Sequence, residues 1–293
     1  MIHGQILGGL GNQLFKVFAT ISYAIQYNQP YCFIYDKGTP SRPTYWENFL
    51  IPLKPFTANP VGFPYGMFIP IGTANHHYEP LPTPQPQKHY TLCNYLQSHK
   101  YFEDQKDEIF QILNLEKQRK DIQMEYSNLL YGENKNDNNI QPIVPISVHY
   151  RLGDYKHLLH SHNILPNFYY EKSLSHIFNR LGEDNKYRIL YFYEKEDRQM
   201  VENNIFELRR IYINYPNIKF IPIDINIPDW KQMLLMSCCH SNIIANSTFS
   251  WWGAYFNPNP MKIVCYPSVW FGPVLSHNIL TDMFPEDWVK VCF

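Results

Sequence analysis

The sequence lacks the long apolar run and the charge excess that mark several classes of protein. No stretch of about 18 or more consecutive apolar residues occurs, so no transmembrane helix is predicted. The formal net charge is −1 and only 17% of residues are charged, which gives no basic field for nucleic acid or an anionic membrane. The start, MIHGQILGGLGNQ, has no charged region followed by an apolar one. We therefore expect no signal peptide and a cytoplasmic location.

Two short motifs, C-x-x-C and D-x-D, are also missing. The six cysteines contain no C-x-x-C pair, which is typical of cytosolic proteins rather than of a disulfide framework. No D-x-D triplet, a spacing with which two carboxylates can hold a divalent ion, occurs. His157, His160 and His162 lie close together, but loop histidines without carboxylates more often face solvent. We predict no metal site and no cofactor.

What is present is an apolar, aromatic-rich chain long enough for two domains. Hydrophobic residues make up 45% of the 293, which is a globular composition. Residues 52–90 are rich in proline and predict a long surface excursion rather than a regular helix or central strand. Residues 101–131 look helical in two segments, and the polar stretch 131–142 is the best candidate linker. These features predict domains over residues 1–140 and 141–293.

Strands and helices alternate along the second half of the chain. Apolar runs predict strands at 143–150, 187–193, 218–224, 241–246 and 262–268, with helices between them. A strand, a glycine turn and a helix are likewise predicted at the start of the chain, followed by a strand at 30–36. Such alternation indicates α/β domains with mostly parallel sheets, which bind ligands at the carboxyl ends of their strands.

Three polar clusters follow predicted strands. GGLGNQ (8–13) is a glycine turn into a helix, where a ligand can approach the backbone closely. VHYRLGD (148–154) contains Arg151, whose permanent forked charge suits phosphate. NSTFS (246–250) opens a helix whose backbone N–H groups and hydroxyls also suit phosphate. We expect the second and third clusters to lie on neighbouring loops and to converge on one pyrophosphate.

Each cluster also has a structural interpretation. GGLGNQ is neither G-x-G-x-x-G nor followed by G-K-[ST], so it is not a dinucleotide fingerprint or a P-loop. Arg151 could pair with Asp154 in a structural salt bridge. Ser247 or Thr248 could simply cap the helix, and the tryptophans of the following SWWG could be core.

Taken together and in this order, the clusters resemble the signatures of the α-1,2-fucosyltransferases, glycosyltransferase family 11. The segments concerned are GGLGNQLF, VHYRLGDY and IIANSTFSWWGAYFNP. FYEKEDRQMV, DWKQMLLMSCCHSNII and FPEDWVKV are also similar to the family. The resemblance covers nearly the whole chain apart from the proline-rich excursion.

The resemblance implies a GT-B-type fold, in which two Rossmann-like domains flank a cleft. Residues 1–140 would form the acceptor side and residues 141–293 the sugar-nucleotide side. It implies an inverting, metal-independent transfer of L-fucose from GDP-β-L-fucose to a galactoside hydroxyl in an α-1,2 linkage. The implied partners are the sugar nucleotide and a galactose-containing glycan.

The implied roles fall on residues of the three clusters. Arg151 would contact the phosphates, Asn12 would reach sugar or phosphate from across the cleft, and Asp154 is a candidate base by position. The residues predicted to bind the donor are Gly9, Gly11, Asn12, His149, Arg151, Gln232, Asn246, Ser247, Thr248, Phe249 and Ser250.

The chain departs from the family pattern at two positions. Leu152 stands where the family usually has a second arginine, so one cation is missing. Gln232 stands where the resemblance suggests an aspartate, and glutamine accepts only one of the two guanine hydrogen bonds well. Two alternatives therefore stay open: transfer of another deoxysugar from its nucleotide, and a non-catalytic glycan- or nucleotide-binding module.

Overall fold

The computed structural model describes residues 1–74, 76–132, 142–182 and 185–293. The chain divides into two compact units. The first consists of Met1–Lys117 with Asn278–Glu286, and the second of Gln118–His277 with Asp287–Phe293. Of the helices in the described part, none is both long and apolar enough to cross a membrane.

A five-stranded parallel sheet forms the centre of the first unit, in the order β5-β2-β1-β7-β6. The strands β3 and β4 form a separate antiparallel pair. The helices and strands of this unit, in chain order, are β1 (Ile2–Gly4), α1 (Leu10–Gln26), β2 (Tyr31–Ile34), β3 (Gly38–Thr39), β4 (Arg42–Pro43), β5 (Thr57–Ala58), β6 (Phe68–Ile71), β7 (His89–Leu92) and α2 (Lys106–Ile112).

Helix α1 packs closely on the first sheet. Its apolar residues recur at helical spacing, and Leu14, Phe15 and Phe18 are fully buried. The close approach depends on Gly4 of β1, because a Cβ there would lie 2.5 Å from both Thr20 Oγ1 of α1 and the Phe33 ring. The strand and helix predicted at the start of the chain are both confirmed.

The proline-rich excursion contributes strands to the first sheet, which the sequence analysis did not predict. β5 and β6 both come from residues 52–90, and each lies at one edge of the sheet. Pro70 lies within β6. An edge strand tolerates proline because only one of its sides must donate hydrogen bonds to a neighbour. The excursion is therefore surface structure, as predicted, but part of it extends the sheet.

The second unit is built on a six-stranded parallel sheet in the order β10-β9-β8-β11-β12-β13. Its elements, with α3 spanning the division between the units, are α3 (Leu115–Glu125), α4 (Ser127–Tyr131), β8 (Ile143–His149), α5 (Asn167–Leu181), β9 (Lys186–Phe192), α6 (Arg198–Ile211), β10 (Ile218–Pro222), α7 (Asp229–Ser237), β11 (Ser241–Ile243), α8 (Thr248–Tyr255), β12 (Val264–Pro267) and β13 (Val289–Val291).

The core of this unit lies between the sheet and the helices that cover it. Val148 and Ile189 of the sheet are buried with Tyr169 and Ile177 of α5. The predicted alternation of strands and helices is confirmed from β8 to β12. With parallel sheets in both units, the predicted α/β class is confirmed.

The two units differ from the predicted domains 1–140 and 141–293 in the placement of α4 and most of α3. These helices cluster with the second unit. Arg119 donates hydrogen bonds to the hydroxyl and the carbonyl of Ser237, at 3.1 and 3.3 Å. Arg188 of β9 donates to the carbonyls of Leu129 and Asn128, at 2.8 and 3.0 Å. Most of the predicted linker 131–142 lies outside the described residues.

A second difference lies near the end of the chain, where residues Asn278–Glu286 belong to the first unit. The Ser98 hydroxyl donates to the Asp282 carbonyl at 2.6 Å, and the Asp282 carboxylate forms an ion pair with Lys100. These contacts hold residues 278–286 on the first unit. The predicted domains divide the chain at a single position, so they could not include this return.

Candidate functional site

The loops that carry Arg151 and NSTFS meet at one edge of the second sheet. β8 and β11 are neighbouring parallel strands, with Val148 paired to Ile243, so both strands end at the same edge. The Tyr155 hydroxyl of one loop donates to the Asn246 carbonyl of the other at 3.1 Å. The two loops are therefore adjacent, as expected.

Arg151 is held between two carboxylates and an aromatic ring. Its Nη1 donates to Glu194 and its Nη2 to Asp154 at 2.5 Å. The guanidinium carbon lies 5.0 Å from the centre of the Tyr155 ring, within cation–π range. The salt bridge to Asp154 is the structural interpretation considered above, and it is present. With 17% of the side chain exposed, the guanidinium still reaches solvent.

Residues after β9 complete the surroundings of Arg151, and sequence reasoning missed them as site residues. β9 lies beside β8, so Glu194 follows its strand at the edge where Arg151 follows β8. The fully buried Asp197 accepts the Gly153 N–H at 2.7 Å and pairs with Lys156 at 2.6 Å. The available signal was the acidic run EKED immediately after a predicted strand.

His149, the last residue of β8, is buried next to the second loop. Its ring centre is 5.5 Å from that of Phe249, and its carbonyl accepts the Tyr170 hydroxyl at 3.2 Å. Burial, together with the positive charge of Arg151, lowers the pKa of His149 to about 3. Among the described residues its Nδ1 has no hydrogen-bond partner. His149 is thus a neutral, buried imidazole at this edge.

The hydroxyls of NSTFS are largely engaged by their own helix. Ser247 is the N-cap of α8, and its Oγ accepts the Phe249 N–H at 3.3 Å. The Ser250 hydroxyl donates to the Ser247 carbonyl at 3.3 Å. Trp251 and Trp252 are fully buried. The helix-cap and core interpretations are therefore correct, and they leave the positive end of the α8 dipole at the edge beside Thr248.

Asn246 fixes the start of this loop. Its side-chain amide donates to the carbonyls of Asn163 and Trp270, at 2.9 and 3.0 Å. Its Oδ1 is buried and makes no hydrogen bond to the described residues. The side chain therefore positions the backbone of NSTFS by bonding two other segments of the chain.

The two departures from the family pattern occupy different environments. Leu152 is 2% exposed and belongs to the core of the second unit, so a cation at this position would have to be buried. Gln232 lies in the first turn of α7, where its Nε2 donates to the Ile227 carbonyl at 2.8 Å. The predicted role of Gln232 in binding a base stays a prediction.

The histidine segment 157–162 packs partly against the site. The ring of His162 stacks on Tyr155, with 4.1 Å between the ring centres and planes 8° apart. Tyr155 thus carries His162 on its ring and Arg151 within cation–π distance. His162 therefore stacks on an aromatic ring, whereas a solvent-facing position was expected for it.

Gly9, Gly11 and Asn12 belong to the first unit, whereas the other predicted site residues belong to the second. Gly9 is the N-cap of α1, and Asn12 Oδ1 accepts a hydrogen bond from Gln97 at 2.9 Å. The preceding Gly8 has a φ of +80°, which favours glycine. The predicted glycine turn into a helix is therefore present, with Asn12 in the first turn of α1.

Lys16 of α1 is a buried cation that sequence reasoning did not select. Its Nζ donates to the carbonyls of Leu92, at 3.0 Å, and Asn94. Burial lowers its pKa to about 8. The lysine ties α1 to the segment that follows β7, which also contains Gln97, the partner of Asn12.

Comparison with known proteins gives one family and several relatives. The family model described as glycosyl transferase family 11 matches residues 74–290. Over 149 residues, the chain is 35% identical to the O-antigen biosynthesis glycosyltransferase WbnK and 30% identical to an alpha-1,2-colitosyltransferase, both from Escherichia coli. These matches cover 50% of this chain and 44% and 47% of the relatives. The chain thus spans about half the length of the curated relatives it matches.

Solved structures show more distant likeness. The fucosyltransferase NodZ from Bradyrhizobium has 10% sequence identity and a TM-score of 0.44, covering 88% of this chain and 93% of NodZ. A glycosyl transferase family 9 protein from Veillonella parvula has 13% identity and a TM-score of 0.44, covering 99% and 85%. Likeness at this level does not extend to substrates.

Proposed function

The chain belongs to glycosyl transferase family 11, and we propose that it transfers L-fucose from GDP-β-L-fucose to a galactoside hydroxyl in an α-1,2 linkage. The acceptor oxygen forms the new bond to the anomeric carbon as the bond to the diphosphate breaks, which inverts the configuration. The acceptor proton leaves to a base or to solvent, and GDP is the second product.

One observation carries the proposal. The guanidinium of Arg151 and the N-terminus of α8 lie on two loops joined by the hydrogen bond from Tyr155 to Asn246, at the carboxyl edge of a parallel sheet. Parallel sheets bind their ligands at this edge. A fixed cation and a helix N-terminus together favour a diphosphate, both when bound and as it departs.

The proposed catalysis is electrostatic and positional. Arg151 takes oxygens of the leaving diphosphate, and the backbone N–H groups at the start of α8 take others. His149, neutral because it is buried, is proposed to fix the nucleotide through its backbone or ring. Asn12, in the first turn of α1, is proposed to contact the sugar or phosphate, and Asp154 is the candidate base. No metal ion enters this proposal.

Another 6-deoxy sugar nucleotide is the second candidate donor. The observation that favours it is the pair of departures at Leu152, which is buried in the core, and Gln232, whose amide nitrogen bonds the Ile227 carbonyl. One relative is named as a colitosyltransferase. Turnover of purified chain with GDP-fucose and with other GDP-, UDP- and dTDP-deoxysugars separates the two donors. Absence of turnover with every donor would favour a non-catalytic binding module.

We expect Arg151→Ala to abolish turnover while lowering the free energy of unfolding by only about 1–2 kcal/mol, because Arg151 is mostly buried but both of its carboxylate partners are part-exposed. The carboxylates it leaves behind, Glu194 and Asp154, have side chains 40% and 46% exposed and can take up water. Turnover and thermal unfolding are measured together.

The matched control is Arg210→Ala, which removes an exposed arginine paired with Glu207 at 3.2 Å. This variant should keep wild-type turnover. Retained activity with a large loss of stability in Arg151→Ala would instead assign Arg151 a purely structural role.

A further inference from the structure

Each terminal nitrogen of Arg151 already donates a hydrogen bond to a carboxylate. Nη1 donates to Glu194 Oε1 and Nη2 to Asp154 Oδ1. Arginine binds phosphate most strongly through two parallel N–H bonds. A diphosphate that binds across Nη1 and Nη2 therefore competes with these carboxylates for the guanidinium.

The two carboxylates are held differently. Asp154 lies in the same loop as Arg151, three residues along the chain. Glu194 comes from the loop after the neighbouring strand β9, and among the described residues its side chain makes a hydrogen bond to Arg151 alone. Rotation of the Glu194 side chain therefore frees Nη1 without disturbing the loop that carries Arg151.

Glu194 lies in a space that exists because residue 153 is glycine. A Cβ on Gly153 would be 2.1 Å from Glu194 Oε2 and 3.6 Å from the Arg151 guanidinium carbon. Gly153 also has a φ of +28°, which side-chain-bearing residues rarely adopt. The absence of a side chain at residue 153 thus lets the Glu194 carboxylate lie beside the guanidinium, in the space over Gly153.

The charge of Glu194 is favoured by Arg151 and Lys156 and opposed by its other surroundings. Burial raises the pKa of Glu194, and the neighbouring carboxylates Glu196, Asp197 and Asp154 act in the same direction, while Arg151 opposes them. Arg151 and Lys156 are thus the counter-charges that offset these effects on Glu194.

We propose that Glu194 occupies the position of a donor phosphate on Arg151 and is displaced when the donor binds. The carboxylate stands in for phosphate oxygens in the space over Gly153. This inference rests on the proposed function, because it takes the diphosphate to be the ligand of Arg151.

Displacement gives Glu194 a defined effect on the reaction. The carboxylate competes with the donor and with GDP, so it lowers the affinity for both. It also returns to Arg151 as GDP leaves and so favours product release. Glu194 is in this sense a positioning residue that acts through Arg151 rather than a catalytic one.

The first experiment measures GDP affinity by calorimetry for wild type, Glu194→Gln and Glu207→Gln. Glutamine keeps the size of Glu194 but removes its charge, so we expect GDP to bind about tenfold more tightly, the equivalent of one charge-assisted contact. Glu207 is an exposed glutamate of α6 and is the matched control, with wild-type affinity expected. At saturating donor, turnover by Glu194→Gln should not rise, because the gain is in binding.

The second measurement uses the wild-type chain, so that it does not depend on the variant folding. A crystal structure with GDP should show phosphate oxygens over Gly153 and Glu194 turned away from Arg151. Phosphate on Arg151 with Glu194 still bound, or unchanged affinity in a folded Glu194→Gln, would overturn the displacement while leaving the proposed function intact. Failure of GDP to bind the wild type, or GDP bound away from Arg151, would overturn the proposed function itself.

Discussion

At the level of single residues, Ser247 shows how one side chain can serve both folding and binding. Its Oγ caps α8 by accepting the Phe249 N–H at 3.3 Å. It also stands at the helix end where a phosphate is proposed to bind. A negative charge at residue 247 favours the helix cap but repels a phosphate, so the two roles can be tested separately.

We expect Ser247→Ala to lower the free energy of unfolding by about 0.5–2 kcal/mol, because the helix loses its cap. Ser247→Asp keeps a cap oxygen and should retain stability, but its charge should repel the diphosphate and raise the KM for the donor. Chemical unfolding and initial rates measure the two effects. Unchanged donor KM in Ser247→Asp would mean that no phosphate lies near this helix end.

The buried His149 should make the free energy of unfolding depend on pH under acidic conditions. Its pKa is about 3 in the folded chain against an ordinary value of 6.5, so between these values the unfolded chain binds one more proton. The free energy of unfolding therefore falls as pH falls below 6.5. In His149→Gln this fall should be shallower by up to about 1.4 kcal/mol per pH unit. Urea unfolding at pH 6.0, 5.5 and 5.0 measures the slope, and equal slopes would contradict neutral burial.

At the level of elements, the helices α7 and α8 pack closely because α8 contains Gly253. A Cβ there would lie 2.9 Å from Met236 Cβ and 3.0 Å from its sulfur. The contact fixes α8 against α7 and so holds the NSTFS turn at the sheet edge.

Gly253→Ala should destabilise the chain, because overpacking costs about 1–3 kcal/mol and exceeds the roughly 0.5–1 kcal/mol that alanine gains over glycine in a helix. Gly66→Ala is the control, since the structure has no atom of a described residue within 4 Å of a Cβ at that position. Thermal unfolding compares the two variants. Equal midpoints would show that α7 moves aside without cost.

The elements that sequence reasoning found share a physical feature. Strands of a parallel sheet covered on both faces read as apolar runs, so β8, β9 and β12 stand out between turns. β13 was missed because it has three residues, Val-Lys-Val, of which only Val291 is buried. β5 and β6 were missed because proline masks strand character, although edge positions tolerate it.

At the level of the whole molecule, the chain returns to its first unit after building most of the second. Asp282 holds this return through its ion pair with Lys100 and by accepting the Tyr78 N–H at 3.3 Å. The return makes the first unit dependent on residues far along the sequence.

We expect Asp282→Ala to weaken this attachment by about 1 kcal/mol, as for a part-exposed ion pair. Amide exchange should become faster across residues 278–286 and around Lys100. Asp287→Ala, at an exposed position of the second unit, is the control. Unchanged exchange in Asp282→Ala would show that the other contacts of the segment are sufficient.

The sequence by itself determined the α/β class, the order of most strands and helices, and the two polar clusters at the ends of β8 and β11. Hydrophobic periodicity and the polar residues that follow a strand are local features, so they can be read directly from the sequence. Only the tertiary structure decided that Glu194 lies on Arg151, that Leu152 belongs to the core and that residues 278–286 join the first unit. Each of these depends on which strands become neighbours and which way a side chain faces, and both are set by packing of the whole chain.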